Sequence, residues 1–330
     1  MDDRGEQLAR LIEESPEDED AFRVYTDWLE ERGDPRATLV RLQMTRERVT
    51  DRAKLDHLET RLAELFEQHR EHFLGPLAKV LPSSKSSRAA RDNAPKLEWR
   101  RGFVYKAELR RLARMPMHRF LDHLISHPSG RFLVELRDLW AEDPEALIEV
   151  LATRAPRTLR RLQVSGTDGT RMVSLASLWP RLDRLEEIEV GAAGGLGYIE
   201  LPKLRRATFS IYDPAHLASL AAARWPALEH LSLHVPTTTE AAQLVAVFEN
   251  ELPALRSLEL GFYAHAPELL SRLSKLPIGR QLRELTLYST PDILDALMRC
   301  TFDLDVLRFD DVLPDADTRF AHIARRVERS

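Results

Sequence analysis

A short apolar pattern, Leu-x-x-Leu-x-Leu with other apolar residues allowed, recurs seven times from residue 159 onward in this 330-residue chain. The middle anchors of the seven copies are Leu162, Ile188, Ala207, Leu231, Leu258, Leu285 and Leu307. Successive middle anchors are 26, 19, 24, 27, 27 and 22 residues apart. That spacing accommodates one short strand and one helix, a unit that buries its apolar face only by stacking on its neighbours. The pattern therefore predicts a series of stacked strand-helix units.

The segments between the predicted strands carry signals for the start of a helix. Each has an N-cap residue or a proline at the first helical position. These signals are Asp213-Pro214, Thr239-Glu240, Pro267-Glu268 and Pro291-Asp292. A weaker copy of the pattern at Leu133 and Leu136, and the alternation of Phe103, Tyr105 and Ala107, predict two earlier strands.

On these anchors, roughly residues 100–313 resemble a leucine-rich repeat array. The resemblance implies an α/β fold, a solenoid with parallel strands on its concave face and helices on its convex face. One feature departs from the usual repeat, which places Asn or Cys shortly after the third Leu in a buried hydrogen-bond ladder. The chain has two Asn, Asn93 and Asn250, and neither lies there. We therefore expect an irregular array whose turn backbone is satisfied in another way.

The N-terminal residues predict helices by the spacing of their apolar side chains. Ser15-Pro16 is expected to start the second helix, and Asp34-Pro35 the third. The run from Val24 to Gln43 contains Tyr25-Thr26-Asp27-Trp28-Leu29-Glu30-Glu31-Arg32-Gly33-Asp34 and Arg41-Leu42-Gln43. It resembles the bacterial repeat-companion domain, whose motif is Tyr-x-Asp-Trp-Leu-Glu-Glu-x-Gly-Asp followed by Arg-Leu-Gln, and residues 69–77 and 99–103 fit its usual continuation. That family offers no catalytic residues to carry over, and Tyr25 and Trp28 are expected in the core.

The predicted organisation has four parts. They are a helical domain over 1–81, a basic Ser-rich linker over 82–98, a leucine-rich repeat solenoid over 99–313 and a C-terminal capping helix over 314–330. The last has Phe320, Ile323 and Val327 on one face, opposite a polar face.

Charge is unevenly distributed although the total is only −5. Residues 1–35 carry 13 acidic and 4 basic side chains, whereas residues 36–115 carry 19 basic and 10 acidic ones. A flexible basic segment can contact phosphates, an acidic partner or the chain's own acidic residues 1–35. The candidates for such contacts are Lys85, Arg88, Arg91, Arg100, Arg101, Arg110, Arg111 and Arg114. A solvated linker is the competing interpretation.

In the predicted repeats, the residues on either side of each middle anchor point away from the core. The resulting candidates for partner contact are Arg161, Gln163, Glu187, Glu189, Arg206, His230, Ser232, His234, Glu259, Glu284, Tyr288 and Arg308. Their mixed charge favours a protein partner over a polyanion, which would require a stripe of one sign. Tyr288, Arg308 and Arg161 are the expected hot spots, because Tyr and Arg dominate interface energies.

Several function classes receive no sequence signal. One Cys, Cys300 at an apolar helix end, provides neither a disulfide framework nor a thiolate metal site. His123 and His127 have metal-ligand spacing but lack the glutamate of a zincin, and no phosphate loop or dinucleotide motif occurs. No run of apolar residues has the length of a membrane span, and the acidic first residues lead us to expect no secretory leader. We expect a non-enzymatic, cofactor-free, cytoplasmic protein that does not insert into membranes and binds another protein as an adaptor, scaffold or sensor subunit.

Overall fold

The computed structural model describes residues 2–83, 86–109, 115–137, 139, 143–164, 174–191, 194–261, 265–311 and 316–329. The chain divides into two compact units, Met1–Gln163 and Val164–Ser330. This division falls inside the predicted solenoid rather than at residue 82 or 99. The predicted helical domain and the first strand-helix units therefore share the first compact unit.

The first unit combines helices with a small sheet. Its α-helices are α1 (Asp3–Glu14), α2 (Glu19–Glu31), α3 (Arg36–Arg48), α4 (Arg52–Gln68), α5 (Arg70–Leu74), α6 (Arg88–Asp92), α7 (Met117–Ser126) and α8 (Pro144–Arg154). Its strands are β1 (Lys96–Arg100), β2 (Phe103–Glu108), β3 (Glu135–Arg137) and β4 (Arg161–Val164). Short 3₁₀ helices occupy Gly75–Lys79 and Pro128–Gly130. β1 and β2 form an antiparallel hairpin, and β2, β3 and β4 pair in parallel.

An aromatic cluster forms the core of the first unit. Tyr25 and Trp28 are 4% and 5% exposed, as expected, and their rings stack with centroids 5.2 Å apart. Phe22, Phe103 and Phe132 pack against them. The core therefore joins α2 to β2 and to the segment that precedes β3, so the helices and the sheet are held together by large apolar side chains.

The start of α2 differs from the prediction. Ser15 ends α1, and Asp18 is the N-cap of α2, accepting hydrogen bonds from the backbone N–H groups of Asp20 and Ala21 at 2.9 and 3.2 Å. The carboxylate of Asp18 satisfies two free N–H groups, so the helix begins three residues after Pro16. α3 begins at Arg36, one residue after the predicted first position Pro35, and Asp34 accepts from the Arg36 N–H at 2.9 Å.

The second unit is a parallel sheet with helices between its strands. Its strands are β5 (Glu187–Gly191), β6 (Arg206–Ser210), β7 (His230–His234), β8 (Ser257–Leu260), β9 (Glu284–Leu287), β10 (Val306–Phe309) and β11 (Val327–Arg329). Its α-helices are α9 (Leu217–Ala221), α10 (Ala241–Phe248), α11 (Ala266–Leu273), α12 (Pro277–Gln281), α13 (Pro291–Leu297) and α14 (Ala316–Phe320), and its 3₁₀ helices are Trp179–Arg181 and Pro214–His216. Strands that neighbour each other in this sheet are consecutive in the sequence. Three of the four predicted helix starts are confirmed within two residues, at α10, α11 and α13. At the fourth, Asp213-Pro214, a 3₁₀ helix begins at Pro214 and α9 follows from Leu217, whereas α12 was not predicted.

The middle anchors of the apolar pattern pair with one another across the strands, as predicted. Leu231 lies opposite Ala207 and Leu258, and Leu285 lies opposite Leu258 and Leu307. None of the seven anchors is more than 2% exposed. A strand places alternate side chains on opposite faces, so this register puts every anchor on the buried side.

Backbone-to-backbone hydrogen bonds link the turns that precede neighbouring strands. The Arg205 carbonyl accepts from the N–H groups of Glu229 and His230 at 2.9 and 3.0 Å. The carbonyls of Val134, Glu186, Glu229, Arg256 and Arg283 each accept two N–H groups from the following turn in the same way. Asn250 contributes one further bond, donating from Nδ2 to the Ala223 carbonyl at 2.6 Å. The turn backbone is thus satisfied without a repeated Asn.

Two predicted segments fold differently from the expectation. The linker over 82–98 contains α6 and the first residues of β1, because β1 completes a hairpin with β2. The region over 314–330 is not one helix: α14 ends at Phe320, and β11 then pairs in parallel with β10, with Val327 opposite Leu307. β11 covers backbone groups that β10 would otherwise leave unpaired.

Candidate functional site

We define the outer sheet face as the side chains of β5–β11, with Tyr288 and Asp310 just beyond β9 and β10, that alternate with the buried anchors. The strand register arranges most of them in two rows. The first row holds Glu187, Arg206, His230, Ser257, Glu284 and Val306, and the second holds Glu189, Thr208, Ser232, Glu259, Thr286, Arg308 and Glu328. Most of these side chains are half-buried or exposed. The structure therefore brings together all of the predicted partner-contact residues that lie in the second unit.

An ion-pair chain crosses one end of this face. Arg308 donates to Glu284 at 2.9 Å and to Glu328 at 3.2 Å. The hydrogen bond from Arg308 lowers the pKa of the Glu284 carboxyl below its ordinary value, and Glu284 raises the pKa of Arg308. The predicted hot spot Arg308 is thus neutralised by its own chain, which reduces its value for a partner because a new contact would have to compete with these pairs.

The histidines of β7 lie in the middle of the outer sheet face. Burial, with the nearby Arg206, lowers the pKa of His230. The Nε2 atom of His234 is 3.2 Å from the Ser232 Oγ, and Ser232 is only 9% exposed. Gly261 leaves room for the ring, since a Cβ there would lie 2.3 Å from the His234 Nδ1. Both histidines are therefore partly buried by their neighbours on the outer sheet face.

The predicted contacts Arg161 and Gln163 belong to β4, in the first unit. Arg161 contacts Glu135 at 3.3 Å, and Lys106 contacts the same carboxylate at 3.5 Å from the other neighbouring strand. Arg137 is a third cation on Glu135, whose side chain is only 7% exposed. Arg161, like Arg308, is held by an acid of the adjacent strand.

The basic residues predicted to contact phosphates lie in different environments. Arg100 pairs with Glu17 at 2.7 Å, and Arg101 contacts Glu19 at 3.5 Å and the Glu17 carbonyl at 3.1 Å. The Arg101 side chain is 3% exposed, so it is not available for an external phosphate. Arg88 is 90% exposed and 3.5 Å from Asp92, while Arg91 lies in the same short helix, α6. Lys85, Arg110, Arg111 and Arg114 lie outside the described residues.

The N-terminal motif supplies polar contacts inside the first unit. Arg36 is 5% exposed and reaches Asp34 at 2.5 Å, the Ser129 hydroxyl at 3.3 Å and the His72 carbonyl at 3.4 Å. The His72 ring contacts Asp34 at 2.9 Å. Gln43 binds the turn of the β1–β2 hairpin. These residues hold segments together, which is a structural role.

The residues considered for metal binding or nucleophilic chemistry have structural contacts. His127 accepts from the Ser129 N–H at 3.2 Å, and burial, with Arg36 and His72, lowers its pKa to about 4. Cys300 is 3% exposed, and burial raises the pKa of its thiol. Within the described ranges, three or more His, Cys, Asp or Glu side chains nowhere converge in a way that could hold a metal ion. In the same residues, no helix combines the length and apolar character needed to cross a membrane.

Sequence reasoning missed two adjoining cavities on the turns that lead into β6–β9. Their volumes are about 480 and 390 Å³, and they share Asn250, Glu251 and Pro253. We call them together the turn-edge groove. A recurring signal could have indicated it, since Pro202, Pro226, Pro253 and Pro277 all line it.

Comparison with known proteins gives a distant structural likeness. No family of known proteins matches the chain, and no curated protein matches it. Among solved structures, the crystal structure of a Bacteroides fragilis protein from the Northeast Structural Genomics Consortium covers 83% of this chain and 83% of its own. The two sequences are 12% identical, and the TM-score is 0.49.

Proposed function

We propose that this chain is a non-enzymatic protein-recognition module, in which a leucine-rich repeat solenoid follows a bacterial repeat-companion domain. Its outer sheet face would bind another protein, and its cellular role would be that of a cytoplasmic adaptor, scaffold or sensor subunit. The observation that carries the proposal is the register of β5–β11. Buried anchors alternate there with rows of side chains that, apart from the buried Ser232 and Val306, are polar and half-buried or exposed.

A rigid sheet suits recognition because its side chains are ordered before a partner arrives. The Arg308 pairs with Glu284 and Glu328, and the contact of Ser232 with His234, fix rotamers within the rows. Binding then loses less side-chain entropy than it would on a mobile loop. The exposed side chains of this face, which are left accessible for contact, include Glu189, Arg206, Glu259, Tyr288 and Asp310.

Phosphate or nucleic-acid binding by residues 85–114 gains no support from the described residues. Arg100 and Arg101, two of its candidates, are paired with Glu17 and Glu19 of the chain's own acidic N-terminal region. Their charge is therefore largely compensated within the first unit.

Site-specific photocrosslinking tests the proposal. A benzophenone side chain at Thr286, in the middle of the second row, should crosslink one specific protein in cells. Ser232 is less suitable because it is 9% exposed and a larger group there would disturb the sheet. The same group at Met298, which is 44% exposed at the end of α13, is the matched control. No specific product at Thr286, or the same product at Met298, would contradict the proposal.

A further inference from the structure

β1 is the edge strand of the sheet in the first unit. It pairs with β2 on one side, and no other described segment pairs with it. The unpaired N–H and C=O groups along such an edge form a template on which another strand can add. What can add there depends on which backbone groups of β1 point outward and on the charges beside them.

The outward backbone groups of β1 are those of Leu97 and Trp99. The Trp99 carbonyl accepts from the Gln43 side chain at 3.2 Å, so it points away from β2. The bulge in the hairpin adds its extra residue, Tyr105, to β2, so the alternation along β1 is uninterrupted. Alternate residues of a strand direct their backbone groups to the same side, and the N–H and C=O of Leu97 therefore also face away from β2.

The open part of this edge is short. Pro95 precedes it and has no N–H group to donate, and at the other end Gln43 already donates to the Trp99 carbonyl. The stretch Lys96–Glu98 remains, with Leu97 at its centre. A strand that adds to this edge therefore pairs over this stretch, and the pairing is centred on Leu97.

The open stretch carries two opposite charges without an ion-pair partner. Lys96 and Glu98 lie on the same face of β1, because they are two positions apart, and both are exposed. Neither forms an ion pair with another described residue. Lys106, which lies opposite Glu98 on β2, instead contacts two other glutamates at 3.1 and 3.5 Å. The edge therefore suits a partner strand that carries the same two charges in reverse order.

A second copy of β1 supplies that order. When two copies pair antiparallel about a twofold axis at Leu97, Lys96 of each copy lies opposite Glu98 of the other. The two Leu97 residues then exchange backbone hydrogen bonds, and the charged residues fall at the positions where side chains approach most closely. An axis at Glu98 would instead place Glu98 opposite itself and Lys96 opposite Arg100. Like charges directly opposite each other are destabilising, so the charges favour the axis at Leu97.

We infer that this chain self-associates as a twofold dimer through antiparallel pairing of β1, with Leu97 at the axis and Lys96 paired with Glu98 across it. β1 belongs to the first unit, whereas the outer sheet face is defined on strands of the second. The dimer and the proposed recognition of another protein are therefore tested separately, and failure of one leaves the other unaffected.

Sedimentation equilibrium of the full chain tests the inference. The wild-type chain should show a reversible monomer–dimer equilibrium. Lys96→Glu places two acids opposite each other on both sides of the axis, and Glu98→Lys does the same with two bases. Each variant alone should weaken the dimer at least about tenfold. A wild-type chain that stays monomeric up to about 1 mM overturns the inference.

Mixing the two variants tests the register. When the Lys96→Glu chain pairs with the Glu98→Lys chain, all pairs across the axis again have opposite charges. The mixture should therefore form dimers of wild-type affinity, and so should a chain that carries both substitutions. If Lys96→Glu strengthens the dimer instead, residue 96 faces Arg100 and the Leu97 register is refuted.

Control variants separate this contact from a general effect of charge. Lys203→Glu and Glu249→Lys make the same charge changes at exposed positions of the second unit and should leave the dimer unchanged. Circular dichroism checks that each variant is folded. If a charge reversal unfolds the chain, Lys96→Gln and Glu98→Gln remove the ion pairs without repulsion, and each should weaken the dimer by a smaller factor. Equal weakening by the control variants, or a folded mixture that does not dimerise, overturns the inference.

Discussion

The side chain of Gln43 accepts a hydrogen bond from the backbone N–H of Gly102 at 2.7 Å, across the turn between β1 and β2. Its Nε2 also donates to the Trp99 carbonyl at 3.2 Å. Arg101 and Gly102 both have positive φ, so the turn is tight and its polar groups need partners. One side chain on α3 thus fixes the hairpin that opens the sheet of the first unit.

Replacement of Gln43 by Met should therefore destabilise the protein. The side chain is 6% exposed, so the variant leaves the buried N–H of Gly102 and the half-buried carbonyl of Trp99 without this partner, at a cost of about 2 kcal/mol. Urea unfolding followed by circular dichroism measures the loss. Gln68→Met, at the exposed end of α4, is the control and should change the free energy of unfolding by less than about 0.5 kcal/mol.

Two arginines of α3 allow the stabilisation from a buried ion pair to be compared with that from an exposed one. Arg36→Leu removes a 5% exposed guanidinium from Asp34, Ser129 and the His72 carbonyl, which should cost about 3 kcal/mol. Arg41→Leu removes a 52% exposed partner of Glu30 and should cost at most about 0.5 kcal/mol. Denaturant titrations of the two variants compare them directly. Equal losses would show that the Arg36 contacts do not hold the first unit together.

Stability should decline on acidification partly through His127. Burial, with the nearby Arg36 and His72, lowers its pKa to about 4, so the folded state binds a proton there less readily than the unfolded state. Its stabilising contribution is then full above the ordinary pKa of 6.5 and is lost as the pH falls toward 4.

In His127→Leu, the fall in unfolding free energy between pH 6.5 and 4 should be smaller by about 2 kcal/mol, a value reduced for partial exposure of the ring. Urea titrations across this range measure the difference. His57→Leu, exposed on α4, should keep the wild-type slope. If the slope is unchanged in His127→Leu, protonation of His127 does not contribute to the loss of stability in acid.

Truncation should destabilise the protein far more on the buried face of β8 than on its outer face. Leu258 is fully buried, and Leu258→Ala should cost about 3–4 kcal/mol through lost burial and the cavity that remains. Ser257→Ala and Glu259→Ala, on the outer sheet face, should each cost less than about 0.5 kcal/mol. Thermal unfolding of the three variants provides the comparison, and a large loss at Glu259 would mean that the outer sheet face is part of the core.

The strands of the repeat region could be predicted because their apolar spacing determines which side chains are buried. Leu231, Leu258 and Leu285 each satisfy the pattern within a few residues, so a local rule finds them. β1 and β11 lack this signal, and each forms through pairing with a neighbouring strand. Their existence depends on tertiary contacts that local spacing does not encode.

Which side chains of the repeat strands point away from the core could also be predicted, but the ion pairs that these side chains form could not. Alternation along β10 places Arg308 on the outer sheet face, whereas its pairing with Glu284 depends on the register between strands of different repeats. Repeat lengths vary from 19 to 27 residues, so sequence distance does not give that register. The sequence could not predict that the buried Trp225 indole Nε1 has no hydrogen-bond partner among the described residues, whereas the Trp179 Nε1 donates to the Leu196 carbonyl. Such a bond depends on which backbone carbonyl lies near the indole in the fold.

The most direct measurement is the affinity of the protein crosslinked at Thr286 for paired charge-reversal variants. Glu189→Lys with Glu259→Lys changes the two exposed acids of the second row, and Glu240→Lys with Glu268→Lys makes the same change at the starts of α10 and α11. Isothermal titration calorimetry should show at least about tenfold weaker binding for the first pair, with an unchanged free energy of unfolding, and wild-type affinity for the second. Equal affinity of both pairs for the partner would contradict recognition through the outer sheet face.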